Sequence, residues 1–305
     1  MTTPMHATTA TTEGTSARPT LPRSRSGKAR GREERSLGAS VLLHTTMLLA
    51  TAIAAFPVVW ILFISLGPKN AWQQPGEVLK NLSFHNYVEV LVHSDLPKWF
   101  LNTVIVAAGT TLLGVFLAAT AGYAVSRMKF PGGRQLMWTF LVTQMFPSIV
   151  LIVPLYLLMA ELQLLDNYLG LILAYATTAV PFCAWMMKGY FDTIPREIDE
   201  AGRVDGLTPF GTFWRLIVPL AKPGLAVTAF YSFLTAWGEV AYATQFMQSG
   251  HYTLAVGIRT FAQDQRPDWA WTSATAIIIT IPAAIVFMLV QRSLVSGLTA
   301  GGTKS

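Results

Sequence analysis

Charge is scarce in this chain: Asp, Glu, Lys and Arg make up 12% of its 305 residues, where a soluble domain carries about 25%. Cysteine is almost missing. The single Cys183 excludes an internal disulfide and a thiolate metal site; it reads as a small apolar residue inside a helix. A phosphate loop of pattern G-x-x-x-x-G-K-[ST] is missing too, since Gly27-Lys28 runs on into Ala29. No group of His, Cys and carboxylates has the spacing of a metal site or of a nucleophile relay. The chain is therefore expected to be no enzyme, to bind no cofactor or metal, and to have no energy source of its own.

What the chain has instead is apolar length. Apolar residues make up 52% and mean hydropathy is +0.44. They gather in six runs near 39–66, 100–126, 135–159, 168–190, 223–247 and 271–295. Each is long enough to cross a hydrocarbon core, which takes about 20 helical residues. Backbone polar groups find no water in lipid, so runs of this length must be helices. The fold expected is an all-α polytopic membrane protein of about six spans. Residues 1–36, rich in Thr, Ser, Arg and Pro, have little to bury and read as a disordered basic tail. The first span is too long, and its leader too extended, for a cleaved signal peptide.

Lys and Arg fix the expected orientation. The tail, the loop after span two (Arg127, Lys129, Arg134) and the loop after span four (Lys188, Arg196, Arg203, Arg215, Lys222) hold most of them. The other side has only Lys69, Lys80, Lys98, Arg259 and Arg266. The positive-inside rule then puts both termini in the cytoplasm. The net charge of +6 is mostly this topology signal. A nucleic-acid partner is not expected, because no aromatic platform accompanies the basic tail.

The loop at 192–222 is the informative one. Thr193-Ile194-Pro195 starts a helix, with a hydroxyl near the cap and Pro near the first position. Glu197, Asp199 and Glu200 then place negative charge where the helix dipole favours it. Gly206 sits where a helix leaves through a left-handed residue. Thr208-Pro209 begins a second short helix, with Phe210, Phe213, Trp214 and Ile217 on one expected apolar stripe. Ile194, Ile198 and Ala201 offer an apolar edge beside exposed acids. Taken alone, such a loop does no more than cover helix ends.

Its spacing says more. Glu200-Ala201-Gly202, then Gly206, then Leu216-Ile217-Val218-Pro219 resembles the E-A-A loop of permease subunits in binding-protein-dependent ABC importers, with Gly202 in place of the second Ala. That substitution loosens a helix by up to about 1 kcal/mol. The C-terminal third is similar to the G-type (MalG-like) subunits of maltose/maltodextrin importers. Ser249-Gly250-His251-Tyr252-Thr253-Leu254-Ala255-Val256-Gly257 and the ending Gly297-Leu298-Thr299-Ala300-Gly301-Gly302 carry this. Earlier residues match mainly in span layout and in patches such as Asn102-Thr103 and Tyr123-Ala124.

The resemblance implies a type I importer permease in a bacterial cytoplasmic (inner) membrane, spanning 37–305. It implies three kinds of partner besides the bilayer: a second, MalF-like permease subunit, a MalK-like ATPase homodimer carrying ATP-Mg, and an extracytoplasmic sugar-binding protein. Glu200, Ala201, Gly202, Asp205 and Gly206 would form the coupling element docked on the ATPase. Glu200 would make a charge-assisted contact there, with Ala201 and Gly202 as close-packing surface. Gly301 and Gly302 would reach between the ATPase subunits. The loop at His251 and Tyr252 would enter the binding protein's sugar cleft. Maltose, maltodextrin, trehalose and other solutes such as polyols all fit this pattern.

Within the spans, Pro57, Pro147, Pro154, Pro181 and Pro282 interrupt helices. Such breaks are tolerated where a cavity or neighbouring helices satisfy the freed carbonyls. Pro147 and Pro154, bracketing Ser148, suit a gate or a cavity wall. Gly114, Ala118 and Gly122 recur every four residues and allow close helix approach, either within the subunit or to a second one. Glu239 is the one carboxylate deep in a span, where a bare charge costs a few kcal/mol or more. With Tyr231, Trp237 and Tyr242 near it in sequence, three readings stand. It is a structural hydrogen-bonded acid, a sugar-binding residue, or the proton site of an ion-coupled secondary transporter.

Overall fold

The computed structural model of this protein describes residues 37–263 and 268–302; the expected disordered tail at 1–36 lies outside them. Every regular element among the described residues is helical. In chain order these are α1 (Leu37–Ser65), α2 (Pro75–Lys80), α3 (His85–Val92), α4 (Leu96–Arg127), α5 (Gly133–Thr143), α6 (Ser148–Glu161) and α7 (Tyr168–Thr193). There follow α8 (Glu197–Val204), α9 (Pro209–Thr212), a π-helical turn (Phe213–Ile217), α10 (Val218–Leu220), α11 (Lys222–Trp237), α12 (Ala241–Phe246), a 3-10 turn (Ser249–His251), α13 (Leu254–Gln263) and α14 (Trp269–Gly302).

The chain divides within α1 into two compact units, one ending at Ala54 and one beginning at Ala55. In the first, the described helix carries only exposed large apolar side chains, such as Leu48 and Ile53. That is the surface of a span solvated by lipid. In the second, α4 packs on α7 and α11, and α14 packs on α11. One core cluster joins Val106, Leu171, Tyr175, Trp237 and Tyr242. Another, at the C-terminal ends of α4 and α7, joins Tyr123, Met187, Phe191, Phe213 and Ile217.

Four helices are long and apolar enough to cross a membrane, and two sharply bent pairs bring the number to six. The expected third span is one of these pairs, with α5 and α6 meeting at 107°. Pro147 accounts for the break, because it lacks an amide and pushes Phe146 out of helical conformation. The expected fifth span also differs: α11 stops at Trp237, and α12 restarts only at Ala241. Another bend of 83° separates Pro209–Leu220 from α11.

The small residues of α4 close the bundle from within. A methyl group on Gly122 would stand 2.9 Å from the Lys188 amide and 3.1 Å from the Ala184 carbonyl, both on α7. One on Gly114 would stand 2.9 Å from the Ser232 hydroxyl on α11. The repeat thus serves packing inside this subunit. Cys183 is buried at the same seam, with its thiol 3.4 Å from the Ser232 hydroxyl. Gly122→Val is expected to lower the thermal midpoint of the detergent-solubilised protein, at an overpacking cost of about 1–3 kcal/mol. Leu112→Ala, on the exposed side of the same helix, should leave that midpoint nearly unchanged.

Candidate functional site

The loop at 192–222 folds as two short helices at the end of the bundle where α4 and α7 terminate. Arg196 precedes α8 without side-chain capping, and Glu197, Asp199 and Glu200 fill its first turn. The exit is a left-handed turn at Gly206, φ +79°. There the Leu207 amide reaches back to the Gly202 carbonyl at 2.9 Å. Only glycine takes this conformation without strain. Thr208 caps α9 through a hydrogen bond from the Gly211 amide.

Asp199 turns inward. Its Oδ1 accepts from the Tyr123 hydroxyl at 2.7 Å, and its Oδ2 lies 3.0 Å from Arg127 Nε. The Arg127 and Asp199 side chains are only 7% and 10% exposed. Arg127 also donates to the Ile194 carbonyl at 2.7 Å, and Arg196 donates to the Ser126 carbonyl at 3.2 Å. The Ser126 hydroxyl donates to Asp192, which in turn pairs with Lys188. The end of α4 is therefore tied by charge and backbone contacts to both ends of the α7–α8 junction. Phe213 reinforces it, with its ring centroid 4.7 Å from Tyr123 and 6.3 Å from Phe191.

The expected apolar stripe on the second short helix splits. Phe213 and Ile217 are buried, whereas Phe210 and Trp214 are exposed. The cause is the π turn, in which the Val218 amide reaches back five residues to the Phe213 carbonyl. It sits just before Pro219, whose ring would clash with the Arg215 carbonyl in a regular α-helix. Gly202 also faces inward: a methyl group there would stand 2.8 Å from the Thr212 hydroxyl and 3.0 Å from Leu216. Ile194 is buried and Ile198 packs against the same cluster. Glu200, Ala201, Asp205 and Gly206 stand outward, and so does Val204 at 88% exposure.

At the opposite end of α4, the loop around His251 is clasped to the bundle. His251 Nδ1 lies 2.9 Å from Asp166 Oδ1, which also accepts from the Gln248 amide. Burial alone would raise the Asp166 pKa; the Gln248 amide and the His251 ring outweigh it and hold the carboxyl below its usual range. The Tyr252 carbonyl accepts from Asn102 at 2.9 Å, and the Leu254 amide donates to Thr103 at 2.7 Å. Gln248 and Ser249 remain exposed. Gly301 and Gly302 close α14.

Glu239 occupies the gap between α11 and α12. It accepts from the Tyr242 amide at 2.9 Å, the Ala243 amide at 3.2 Å and the Tyr175 hydroxyl at 2.8 Å. It thus caps α12 and secures it to α7. Trp237 donates its indole proton to the Ile279 carbonyl on α14, and Tyr242 donates to the Ser148 carbonyl. Tyr231 stacks near Phe182, 4.5 Å between centroids, in a different part of the bundle. Glu239, Trp237 and Tyr242 thus gather around the α11–α12 break, and Tyr231 lies apart from them. Beside Ser148, which accepts from Tyr242, a cavity of about 430 Å³ opens at the α5–α6 break, where Thr143, Gln144, Thr177 and Thr178 meet Phe146, Leu151 and Leu155. Gln144 donates across it to the Thr178 carbonyl at 3.0 Å.

Apolar spans, a cavity at the break in one of them and an anchored acidic helix at one end are the features of a membrane transport subunit. The chain belongs to the family described as "Binding-protein-dependent transport system inner membrane component", which it matches over residues 110–299. It is 35% identical over 226 residues to the maltodextrin transport system permease protein MalD of Streptococcus pneumoniae, covering 73% of this chain and 81% of that one. It is likewise 35% identical over 260 residues to the trehalose transport system permease protein SugB of Mycobacterium tuberculosis, covering 84% and 94%. Among solved structures it is similar to a chain of a bacterial ABC transporter involved in the import of the acidic polysaccharide alginate. There the TM-score is 0.69 at 24% identity, over 83% of this chain and 95% of that one. At that identity the likeness speaks for the fold alone.

The buried pair yields a test. Breaking a buried ion pair from one side costs about 3–5 kcal/mol, because the remaining charge is left unpaired. Asp199→Ala should therefore strongly lower the thermal midpoint of purified protein. Asp199→Leu combined with Arg127→Met should recover most of the loss. A double variant no more stable than the single one would show that the pairing is not what holds this junction.

Proposed function

We propose that this chain is one half of the translocation pore of an ATP-driven importer for neutral oligosaccharides. A second permease subunit, a separate ATPase dimer and an extracytoplasmic binding protein complete the machine. The observation that carries this reading is α8: its inner face is fastened to α4 by Asp199, while its outer face offers Glu200, Ala201, Val204 and the Asp205–Gly206 turn. A lever must be stiff on one side and open on the other.

The mechanism is alternating access. Loaded binding protein docks on the side of His251 and Tyr252, with the exposed Gln248 and Ser249 beside them. ATP closes the ATPase dimer on the α8 side, and motion of α8 is passed to α4 through the buried pair. Glycines 301 and 302, ending α14, extend toward the same ATPase. A nucleotide drives the change only by binding the two pore states with different affinity. Both termini lie on the α8 side, in the cytoplasm, as the Lys and Arg distribution favours. Glu239 serves as a helix cap, which favours the structural reading over an ion-coupled carrier.

The cargo reading rests on the relatives and on the cavity at the α5–α6 break. Hydroxyl and amide groups set among Phe146, Leu151 and Leu155 suit an uncharged polyhydroxylated solute with apolar ring faces. Maltodextrin-type sugars come first, on the resemblance of Ser249–Gly257 and of the C-terminal ending. Trehalose is the second reading, because the trehalose relative matches at the same identity over more of this chain. Stimulated ATP turnover of the reconstituted complex, tested on a panel of sugars with the cognate binding protein, separates them.

Glu200→Ala and Gly206→Pro should leave the protein in the membrane but abolish uptake and binding-protein-stimulated ATPase activity. Normal transport in both variants would overturn the docking role of α8.

A further inference from the structure

One wide cleft among the described residues belongs neither to α8 nor to the α5–α6 break. It has a volume of about 780 Å³ and lies between the C-terminal end of α4, the turn into α5, the first turns of α5, and α7. Its rim carries Lys129, Arg134 and Lys188, and its walls include Trp138, Trp185 and Met137. Lys129 and Arg134 are exposed, and Trp138 and Trp185 are 58% and 47% exposed. Of the three cations, Lys188 is paired with Asp192 one turn on. Arg127 nearby is spent on Asp199. The cleft mouth thus keeps a cationic surplus with no acid among its lining residues.

Three features agree on the occupant. The cations sit where two apolar spans end, which is the level of lipid headgroups. The walls below them are apolar, as acyl chains require. Two exposed indoles stand at the boundary, where amphipathic rings collect at a membrane interface. The α5 helix also begins at this cleft with Gly132 and Gly133 and no side-chain cap, so its first amides add a favourable field for an anion. Basic pockets between spans take up acidic headgroups. We infer that this cleft is a binding site for an anionic phospholipid of the leaflet on the α8 side. Lys129 and Arg134 would hold the phosphate, and Trp138, Trp185 and Met137 would flank the chains.

The test is photolabelling of the full membrane complex in nanodiscs, using phosphatidylglycerol or phosphatidylcholine with a photoreactive acyl chain. Adducts are mapped by peptide mass spectrometry. Phosphatidylglycerol should label residues 129–141 and 185–188 in preference to phosphatidylcholine. Lys129→Gln and Arg134→Gln should each cut that preference by about fivefold while leaving phosphatidylcholine labelling unchanged. Both residues are exposed and lie outside the α8 anchor, so assembly should persist. Equal labelling by the two lipids, or a preference that survives both substitutions, overturns the proposal. So does protection of these peptides from either lipid in the complex, which would mean that a second polypeptide fills the cleft. None of these outcomes bears on the docking role of α8, which the transport assays address separately.

Discussion

The contact between Arg127 and Asp199 governs the end of the bundle that matters most. Two opposite charges, each about nine-tenths removed from solvent, must stay together or one is stranded at a cost of several kcal/mol. An isolated buried pair adds little net stability over a well-packed apolar one. What it supplies is position. With Tyr123 on the other carboxylate oxygen and the Ile194 carbonyl on the guanidinium, α8 is held in one place relative to α4. The surrounding rings of Phe191 and Phe213 keep water from relaxing that geometry.

Close packing extends the constraint along the bundle. Gly122 brings α4 against α7 about a turn and a half from Arg127, and Gly114 brings it against α11 about two turns further in. Gly202 lets α8 and α9 approach in the same way, which gives a structural reason for glycine where the resembling loop has alanine. A larger residue there would meet Thr212 and Leu216. The short helices are thereby fastened to the end of α4 and packed against the end of α7. The family assignment makes this a permease subunit, and the geometry gives its short helices a fixed seat.

Much of this was legible in the sequence, and the rest was hidden for definite reasons. Span number and helical class follow from apolar length, because lipid leaves the backbone no alternative. The left-handed exit at Gly206 follows from local chemistry. Asp199 was read as a dipole-stabilising acid, like Glu197 and Glu200, and nothing in the loop marks it as buried. The only hint was distant: Arg127 stands at the end of a span seventy-odd residues earlier, and pairing across that separation is a tertiary fact. The break at Pro147 was visible as a proline, but its size was not. Glu239, Tyr231, Trp237 and Tyr242 looked like one constellation because they are near in sequence. The interruption at Gly238 leaves Glu239 capping α12 beside Tyr242 and Trp237, while Tyr231 packs near Phe182 elsewhere. Val204 leaves no mark in the sequence, because a single valine in a polar loop carries no periodic signal.

The wide turn at Phe213–Ile217 has a mechanical meaning. A π turn holds more residues per revolution than an α turn, and such bulges gather at functional sites. Tightening it to α geometry would shift the hydrogen-bond register by one residue. The chain beyond it would then swivel by roughly 100° about its axis relative to α9, the angle one residue subtends. That torsional slack lies directly between the clamped α8 and the long α11. Such a change of register would turn the residues after it while leaving the Arg127–Asp199 contact at α8 in place.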